Sequence, residues 1–111
     1  MTIAIIGGSG LSQLPELKVT DKIIVDTPWS KSPASIITGE LNKTNIVFLP
    51  RHGDSHTIPP HKINYRANIW ALKKIGVKKI ISVNSVGGIT KLMNPNSIIL
   101  PNQVIDYTHG R

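Results

Sequence analysis

The stretch INYRANIWALKKIGVKKIISV, residues 63–83, decides the fold class. Its apolar residues recur at helical spacing over residues 63–75, which predicts an amphipathic helix with two lysines near its solvated end. Gly76 follows as a residue that commonly ends a helix in a left-handed conformation. The next segment, KKIISVNSV at residues 78–86, has the nearly continuous apolar run of a strand that is covered on both faces.

Short apolar segments upstream of this helix predict the other strands of a sheet. They are separated by turn-forming sequences such as TPWSKSP and ELNKTN, and they lie at Thr2–Ile6, Lys22–Val25, Ser35–Thr38 and Asn45–Leu49. A strand, a helix and a further strand in this order form a β-α-β unit. We therefore predict an α/β fold with a mixed, partly parallel central sheet.

Composition limits the class of protein. The chain has 111 residues, of which 40% are apolar, enough for one hydrophobic core. It contains no cysteine, which excludes disulfides and thiolate metal sites. No run approaches the roughly 18 apolar residues that a membrane-spanning helix needs, and the N-terminus lacks the pattern of a secretory signal. We expect a cytoplasmic protein with no membrane partner.

The formal net charge of +7 raises the alternative of a basic nucleic-acid-binding protein. The distribution of the charge argues against it, because the lysines are scattered as single residues or pairs and the few aromatic residues form no row for base stacking. A solvated basic surface is the favoured interpretation, and it could still attract small anionic substrates. We expect no nucleic-acid partner.

Two glycine-rich turns follow predicted strands. GGSGL (residues 7–11) places the hydroxyl of Ser9 among glycines whose backbone amides can approach an oxyanion closely, although a purely structural turn explains the pattern equally well. VNSVGG (residues 83–88) repeats the arrangement with Asn84 and Ser85. These turns could converge on one anion if their strands are neighbours in the sheet.

Arg51 and His52 directly follow the strand predicted at Asn45–Leu49, and α/β proteins gather ligands at such strand ends. The planar guanidinium group suits a phosphate, and the imidazole can add a hydrogen bond. We therefore favour an anion site over two loop side chains in solvent. Nearby on the predicted helix, Asn64, Tyr65 and Asn68 are expected to hold the loop to the helix rather than to do chemistry.

His52, His56 and His61 raise the alternative of a metal site. The His-x-x-x-His spacing binds a metal well on a helix, whereas the glycine and the proline pair within residues 51–61 predict a loop. We expect no metal ion. No residue is marked as a nucleophile and the six carboxylates form no recognisable acid-base pair, so no catalytic residue is predicted.

In this order the motifs resemble those of the purine nucleoside phosphorylase superfamily, and within it the S-methyl-5′-thioadenosine and S-methyl-5′-thioinosine phosphorylase branch. The resemblance covers essentially all 111 residues. The matching segments are IAIIGGSGL (3–11), DTPW (26–29), LPRHG (49–53) with His56, NYRANIWALKKIG (64–76), VNSVGG (83–88) and PNQVIDYTHGR (101–111).

The resemblance implies a nucleoside-phosphorylase fold and the phosphorolysis of a 5′-methylthio purine nucleoside. It matches Ser9 to the hydroxyl residue of the first phosphate loop and the pair Arg51 and His52 to the residues that grip phosphate. It matches Asn84 and Ser85 to a third phosphate contact, made largely through the backbone. No cofactor is implied, since inorganic phosphate is itself a substrate.

Complete members of this branch are longer than the chain and usually form homotrimers. We therefore expect residues 1–111 to be the N-terminal half of a single nucleoside phosphorylase domain, with the purine-binding groups in a C-terminal half that could be a separate chain. The choice between adenine and hypoxanthine stays open. A general purine nucleoside phosphorylase and a non-catalytic phosphate-binding fragment remain as alternatives.

Overall fold

One mixed sheet forms the frame of the molecule. The computed structural model describes residues 2–11 and 15–110, and of Ser9 the backbone only. The described strands are β1 (Ile3–Gly7), β2 (Leu17–Val25), β3 (Ala34–Leu41), β4 (Thr44–Pro50) and β5 (Lys79–Ser82). They lie in the order β2-β3-β4-β1-β5, with β1 parallel to both β4 and β5 and the other pairs antiparallel. The predicted α/β fold with a partly parallel sheet is confirmed.

The antiparallel strands β2 and β3 are longer than the apolar segments of the sequence predict. β2 begins at Leu17 because it is an edge strand, and its exposed residues up to Lys22 pair with β3 without needing an apolar pattern. Asn42 and Lys43 have φ angles of 49° and 65° and close the β3–β4 hairpin. Two left-handed residues in a two-residue turn give the twist that suits antiparallel strands.

The helix α1 (Tyr65–Lys74) covers one face of the sheet. The core joins Ala71 and Leu72 of the helix to side chains of four strands, which are Ala4, Ile6, Val25, Ile36, Val47 and Leu49. β4 is buried on both faces, since Ile46 and Phe48 alternate with these core residues and are also buried. The β4–α1–β5 connection is the predicted β-α-β crossover, with β1 between its two strands.

Gly76 ends α1 as the sequence predicts. Its φ of 84° lies in the left-handed region. Its N–H donates to the carbonyl of Lys73 and the N–H of Val77 donates to that of Leu72, both at 3.0 Å. This pair of bonds is the Schellman arrangement, which satisfies carbonyls that the last helical turn leaves without partners.

The prediction that the last strand is covered on both faces is wrong for the described part of the chain. All four residues of β5 are exposed, with Ile80 and Ile81 at 42% and 53%. Among the described strands β5 pairs with β1 and forms an edge of the sheet. The apolar composition of β5 is that of a covered strand, so its cover would have to come from other residues.

The remaining described segments are irregular. Single 3-10 turns occupy Ser9–Leu11 and Pro60–Lys62, so the proline pair permits one tight turn where the sequence predicts only a loop. Residues 83–110 contain no helix or strand and are exposed throughout. Within the described residues there is no helix with the length and apolar character that a bilayer crossing requires.

Candidate active site

Three turns meet at one edge of the sheet because β1, β4 and β5 run in the same direction. In register, Gly7 lies beside Pro50, and Ile6 lies beside Ser82. Two backbone hydrogen bonds extend this pairing past the strand ends, from Arg51 N–H to Gly7 O at 3.1 Å and from Val83 N–H to Ile6 O at 2.9 Å. The condition for convergence, that the three strands are neighbours, is therefore met.

An open cavity of about 410 Å³ lies where the turns meet. Each of the three loops contributes to its wall, which consists of Gly8, Gly10, Leu11, Arg51, His52, His56, Val83, Asn84 and Ser85. Its described residues include one arginine, two histidines and no acidic residue. This composition favours an anionic ligand over a cation.

The side chain of Arg51 connects two of the loops that border the cavity. Its Nη1 donates a hydrogen bond to the backbone carbonyl of Val83 at 2.8 Å, which ties the loop after β4 to the end of β5. Gly8 lies between them, where a Cβ would come within 3.3 Å of Nη2. Among the described residues Val83 is the one hydrogen-bond partner of the guanidinium group, so further N–H groups are available to a ligand.

His52 is held by the far end of its own loop. Its Nδ1 lies 2.8 Å from the carbonyl oxygen of Ile58, and the N–H of Ile58 donates to the carbonyl of His52 at 3.0 Å. The segment between them turns back through Gly53, whose φ is 77°. A carboxylate of this segment, Asp54, forms an ion pair with Lys22 of β2.

His56 borders the cavity although it was not among the predicted phosphate ligands; it entered as a candidate metal ligand and as part of the family resemblance. Its ring centroid lies 4.7 Å from that of His52, and both rings border the cavity. The backbone of His56 has a φ of 53°, a left-handed conformation that folds the loop back on itself. Apart from the family resemblance, the signal in the sequence was the spacing of the two histidines, which indicates proximity once the loop conformation is known.

Four of the five predicted phosphate ligands lie around this one cavity: Arg51, His52, Asn84 and Ser85. The side chain of the fifth, Ser9, lies outside the described part of the structure, although the glycines on either side of it border the cavity. His61 lies elsewhere, in a surface hollow with Trp29 and Gly110. Residues 2–11 and 15–110 contain no group of three His, Asp or Glu residues placed to hold a metal ion.

Asn64 joins the loop before β3 to the start of α1, whereas the sequence led us to expect a contact with the loop after β4. Its Oδ1 accepts a hydrogen bond from Ala67 N–H at 3.0 Å, and its Nδ2 donates to the carbonyl of Trp29 at 2.6 Å. The guanidinium group of Arg66 lies 4.9 Å from the centre of the Trp29 ring, within range of a cation–π contact. Asn64 and Ala67 also border a second cavity of about 500 Å³, which shares Arg51 with the first.

Comparisons with known proteins point to one family. A family model described as "Phosphorylase superfamily" matches residues 2–111. S-methyl-5′-thioadenosine phosphorylase of Hyperthermus butylicus is 50% identical over 109 residues, which are 98% of this chain and 40% of that protein. A probable S-methyl-5′-thioinosine phosphorylase of Pseudomonas syringae pv. tomato is 45% identical, over 100% of this chain and 46% of its own length.

Solved structures agree with these sequence matches. A methylthioadenosine phosphorylase from an antarctic soil metagenomic library superposes with a TM-score of 0.62 at 45% identity, over 72% of this chain and 28% of that chain. Methylthioadenosine phosphorylase from Schistosoma mansoni in complex with adenine gives 0.63 at 40% identity, over 74% and 30%. The chain thus spans less than half the length of the curated relatives it matches.

Proposed function

The chain belongs to the phosphorylase superfamily, and from this membership we propose that it supplies the phosphate site of an enzyme that phosphorolyses a 5′-methylthio purine nucleoside. The named relatives support the nucleoside class, at up to 50% identity. Because the chain covers less than half of their length, the proposal for the whole reaction concerns this chain together with groups outside it. Purine salvage is the metabolic role that such a reaction would serve.

In the proposed reaction an oxygen of inorganic phosphate bonds to C1′ of the ribose while the bond from C1′ to the purine nitrogen breaks. The electron pair of that bond leaves with the base, which takes up a proton. The products are the free purine and 5-methylthioribose 1-phosphate. No cofactor or metal ion takes part, since inorganic phosphate is the second substrate.

The single observation that carries the proposal is the convergence of three strand-end loops on an arginine-lined cavity. The sugar carbon gains positive charge as the base leaves, so the enzyme must hold a dianion beneath it in the correct orientation. Arg51 can offer two parallel N–H groups to phosphate oxygens, and its bond to Val83 already fixes the plane of the guanidinium group. His52 adds a second hydrogen-bonding group from the same loop of the cavity wall.

The remaining ligands come from the turns after β1 and β5. Asn84 and Ser85 line the cavity and would bind phosphate largely through their backbone N–H groups. Ser9 would add its hydroxyl from the first turn. We assign no general acid or base to this chain, because the groups that assist the leaving purine belong to the part of the domain outside it.

The proposal extends to organisation and location. We propose that residues 1–111 correspond to the N-terminal half of one nucleoside phosphorylase domain and that complete protomers form a homotrimer in the cytoplasm. A C-terminal half, covalently joined or separate, would supply the purine and methylthio pockets. A general purine nucleoside phosphorylase differs from this proposal only in how the 5′ group and the base are recognised.

A second candidate is a phosphate-binding fragment without turnover. The exposure of β5 and of residues 83–110 favours it for the chain by itself, because Ile89, Ile98 and Leu100 are each at least 95% exposed. Apolar side chains in that state do not form the closed pocket that a purine needs. The two candidates share the phosphate site and differ in product formation.

The test is phosphate-dependent release of free base from methylthioadenosine, methylthioinosine and inosine, followed by chromatography. Release of adenine or hypoxanthine in proportion to added phosphate would support phosphorolysis and identify the substrate. Arsenate in place of phosphate should also release base, because it has the same shape and charge.

Phosphate binding measured on the same sample separates the alternatives. Binding without release of base would identify the fragment. A folded chain that neither binds phosphate nor releases base contradicts both candidates, and preferential release from inosine would favour the general purine enzyme.

A further inference from the structure

The contact between His52 and Ile58 determines which ring nitrogen of the histidine carries a proton. The carbonyl oxygen of Ile58 can only accept a hydrogen bond, and it lies 2.8 Å from Nδ1 of His52. Nδ1 is therefore the protonated nitrogen of the neutral ring. The other nitrogen, Nε2, then carries a lone pair and can only accept.

The two ring nitrogens cannot readily exchange their donor and acceptor roles, because a second hydrogen bond holds His52 and Ile58 together. Ile58 N–H donates to the carbonyl of His52 at 3.0 Å, and the turn through Gly53 brings the loop ends together. Nε2 has no hydrogen-bond partner in the described ranges, and His52 borders the cavity. Nε2 is thus the atom that the neutral ring offers to a ligand there.

A fixed acceptor in an anion site discriminates between oxyanions. Resting on the proposed function, we propose that His52 makes the cavity selective for an oxyanion that carries a proton, so that hydrogen phosphate binds in preference to sulfate. The P–OH group of hydrogen phosphate donates to Nε2, and its unprotonated oxygens remain for Arg51 and for attack on the sugar. Sulfate carries no proton near neutral pH, so one of its oxygens would face the lone pair without a hydrogen bond.

Few other charged groups face His52. Arg51 on the same loop favours any oxyanion, and His56 lies against the ring with a centroid distance of 4.7 Å. The carboxylate of Asp54 is paired with Lys22. The described residues that border the cavity from the loops after β1 and β5 are uncharged: Gly8, Gly10, Leu11, Val83, Asn84 and Ser85.

The test titrates the chain with inorganic phosphate, arsenate and sulfate at pH 8, using calorimetry or NMR. Phosphate and arsenate should bind at least about tenfold more tightly than sulfate, the size expected for one unsatisfied hydrogen-bonding group. His52→Asn keeps an amide donor near the position of Nδ1 and removes Nε2. It should reduce this ratio towards one, chiefly through weaker binding of phosphate.

His56→Asn is the matched control, since asparagine tolerates the left-handed backbone of this position. The preference for phosphate over sulfate should persist in His56→Asn and disappear in His52→Asn.

Nitrogen-15 NMR of the imidazole rings tests the assignment without any variant. The expected signals are a protonated Nδ1 and an unprotonated Nε2 for His52 at pH 8. A proton on Nε2, or equal affinity for phosphate and sulfate, would overturn the selectivity and leave the proposed phosphate site intact. Failure to bind phosphate at all would overturn both.

Discussion

Arg51 Nη1 donates a hydrogen bond to the carbonyl of Val83 at 2.8 Å, across the end of the strand that lies between their own two strands. Arg51 follows β4 and Val83 follows β5, while β1 ends beneath the contact at Gly7. The bond therefore connects both neighbours of the central strand at its carboxyl end. It holds the guanidinium plane over the cavity before any ligand arrives.

Replacing Arg51 with alanine should weaken phosphate binding by at least about 100-fold, because a bidentate charged contact is lost, at ~1.5–3 kcal/mol for each hydrogen bond to a charged group. The phosphate affinity of Arg51→Lys should lie between those of the unchanged chain and Arg51→Ala, since lysine keeps the charge and loses the planar guanidinium fork. Calorimetric titration with phosphate measures the effect, and circular dichroism checks the fold.

Lys18→Ala is the charge-matched control for Arg51. Lys18 is an exposed residue of β2, at the opposite edge of the sheet from β5. Its removal lowers the net charge equally and should leave phosphate affinity within about twofold, because exposed charges beyond a Debye length of roughly 10 Å are screened. Equal losses in both variants would mean that Arg51 acts only through net charge.

Asn64 contributes to stability through two contacts that can be separated. Asn64→Ala removes the helix cap and the bond to the Trp29 carbonyl, and should lower the free energy of unfolding by about 2 kcal/mol. Asn64→Ser keeps a capping oxygen and loses the amide that donates to the Trp29 carbonyl. Its loss should be about half as large in urea unfolding; identical losses would show that the cap contributes nothing.

Gly76→Ala should destabilise the chain by about 1 kcal/mol through backbone conformation alone, since a Cβ there meets no atom within 4 Å and φ is 84°. Gly76→Asn should recover part of the loss, because asparagine tolerates this conformation. Gly87→Ala is the control, as that position is also open and its φ is not positive. A thermal midpoint that is the same in both alanine variants would contradict the argument.

The sequence predicted where individual strands end but not which strands lie side by side in the sheet. The apolar runs at β1, β4 and β5 and the glycines that follow them are local signals, so the candidate ligands could be chosen from short motifs. The order β4-β1-β5 depends on pairing between distant segments, and only that order brings Arg51 to Val83. The sequence therefore predicted convergence of the turns only on the condition that their strands are neighbours in the sheet.

Two further features depend on conformation that motifs do not encode. His56 reaches the cavity because Gly53 and His56 both adopt positive φ, and no periodic pattern marks an irregular loop. The exposure of β5 was missed because a run of apolar residues indicates what a strand can bury rather than what lies over it. Both features depend on contacts made after the local structure is formed.

Gly8 also makes room for Arg51. The sequence predicts that its missing Cβ lets an oxyanion approach the backbone, and in the structure the guanidinium group of Arg51 lies on the side where a Cβ would project. A Cβ at this position would lie 3.3 Å from Nη2, closer than most such contacts. Gly8→Ala should therefore displace Arg51 and weaken phosphate binding by about tenfold, the cost of one impaired charged hydrogen bond.

Gly10→Ala is the matched control in the same turn. A Cβ there meets no atom within 4 Å, and Gly10 borders the same cavity. Titration with phosphate should show a small change for Gly10→Ala and a large one for Gly8→Ala. In the double variant Gly8→Ala with Arg51→Ala, the two losses should not add, because Gly8 acts through the arginine. Additive losses would mean that Gly8 contacts the anion itself, as the sequence alone suggested.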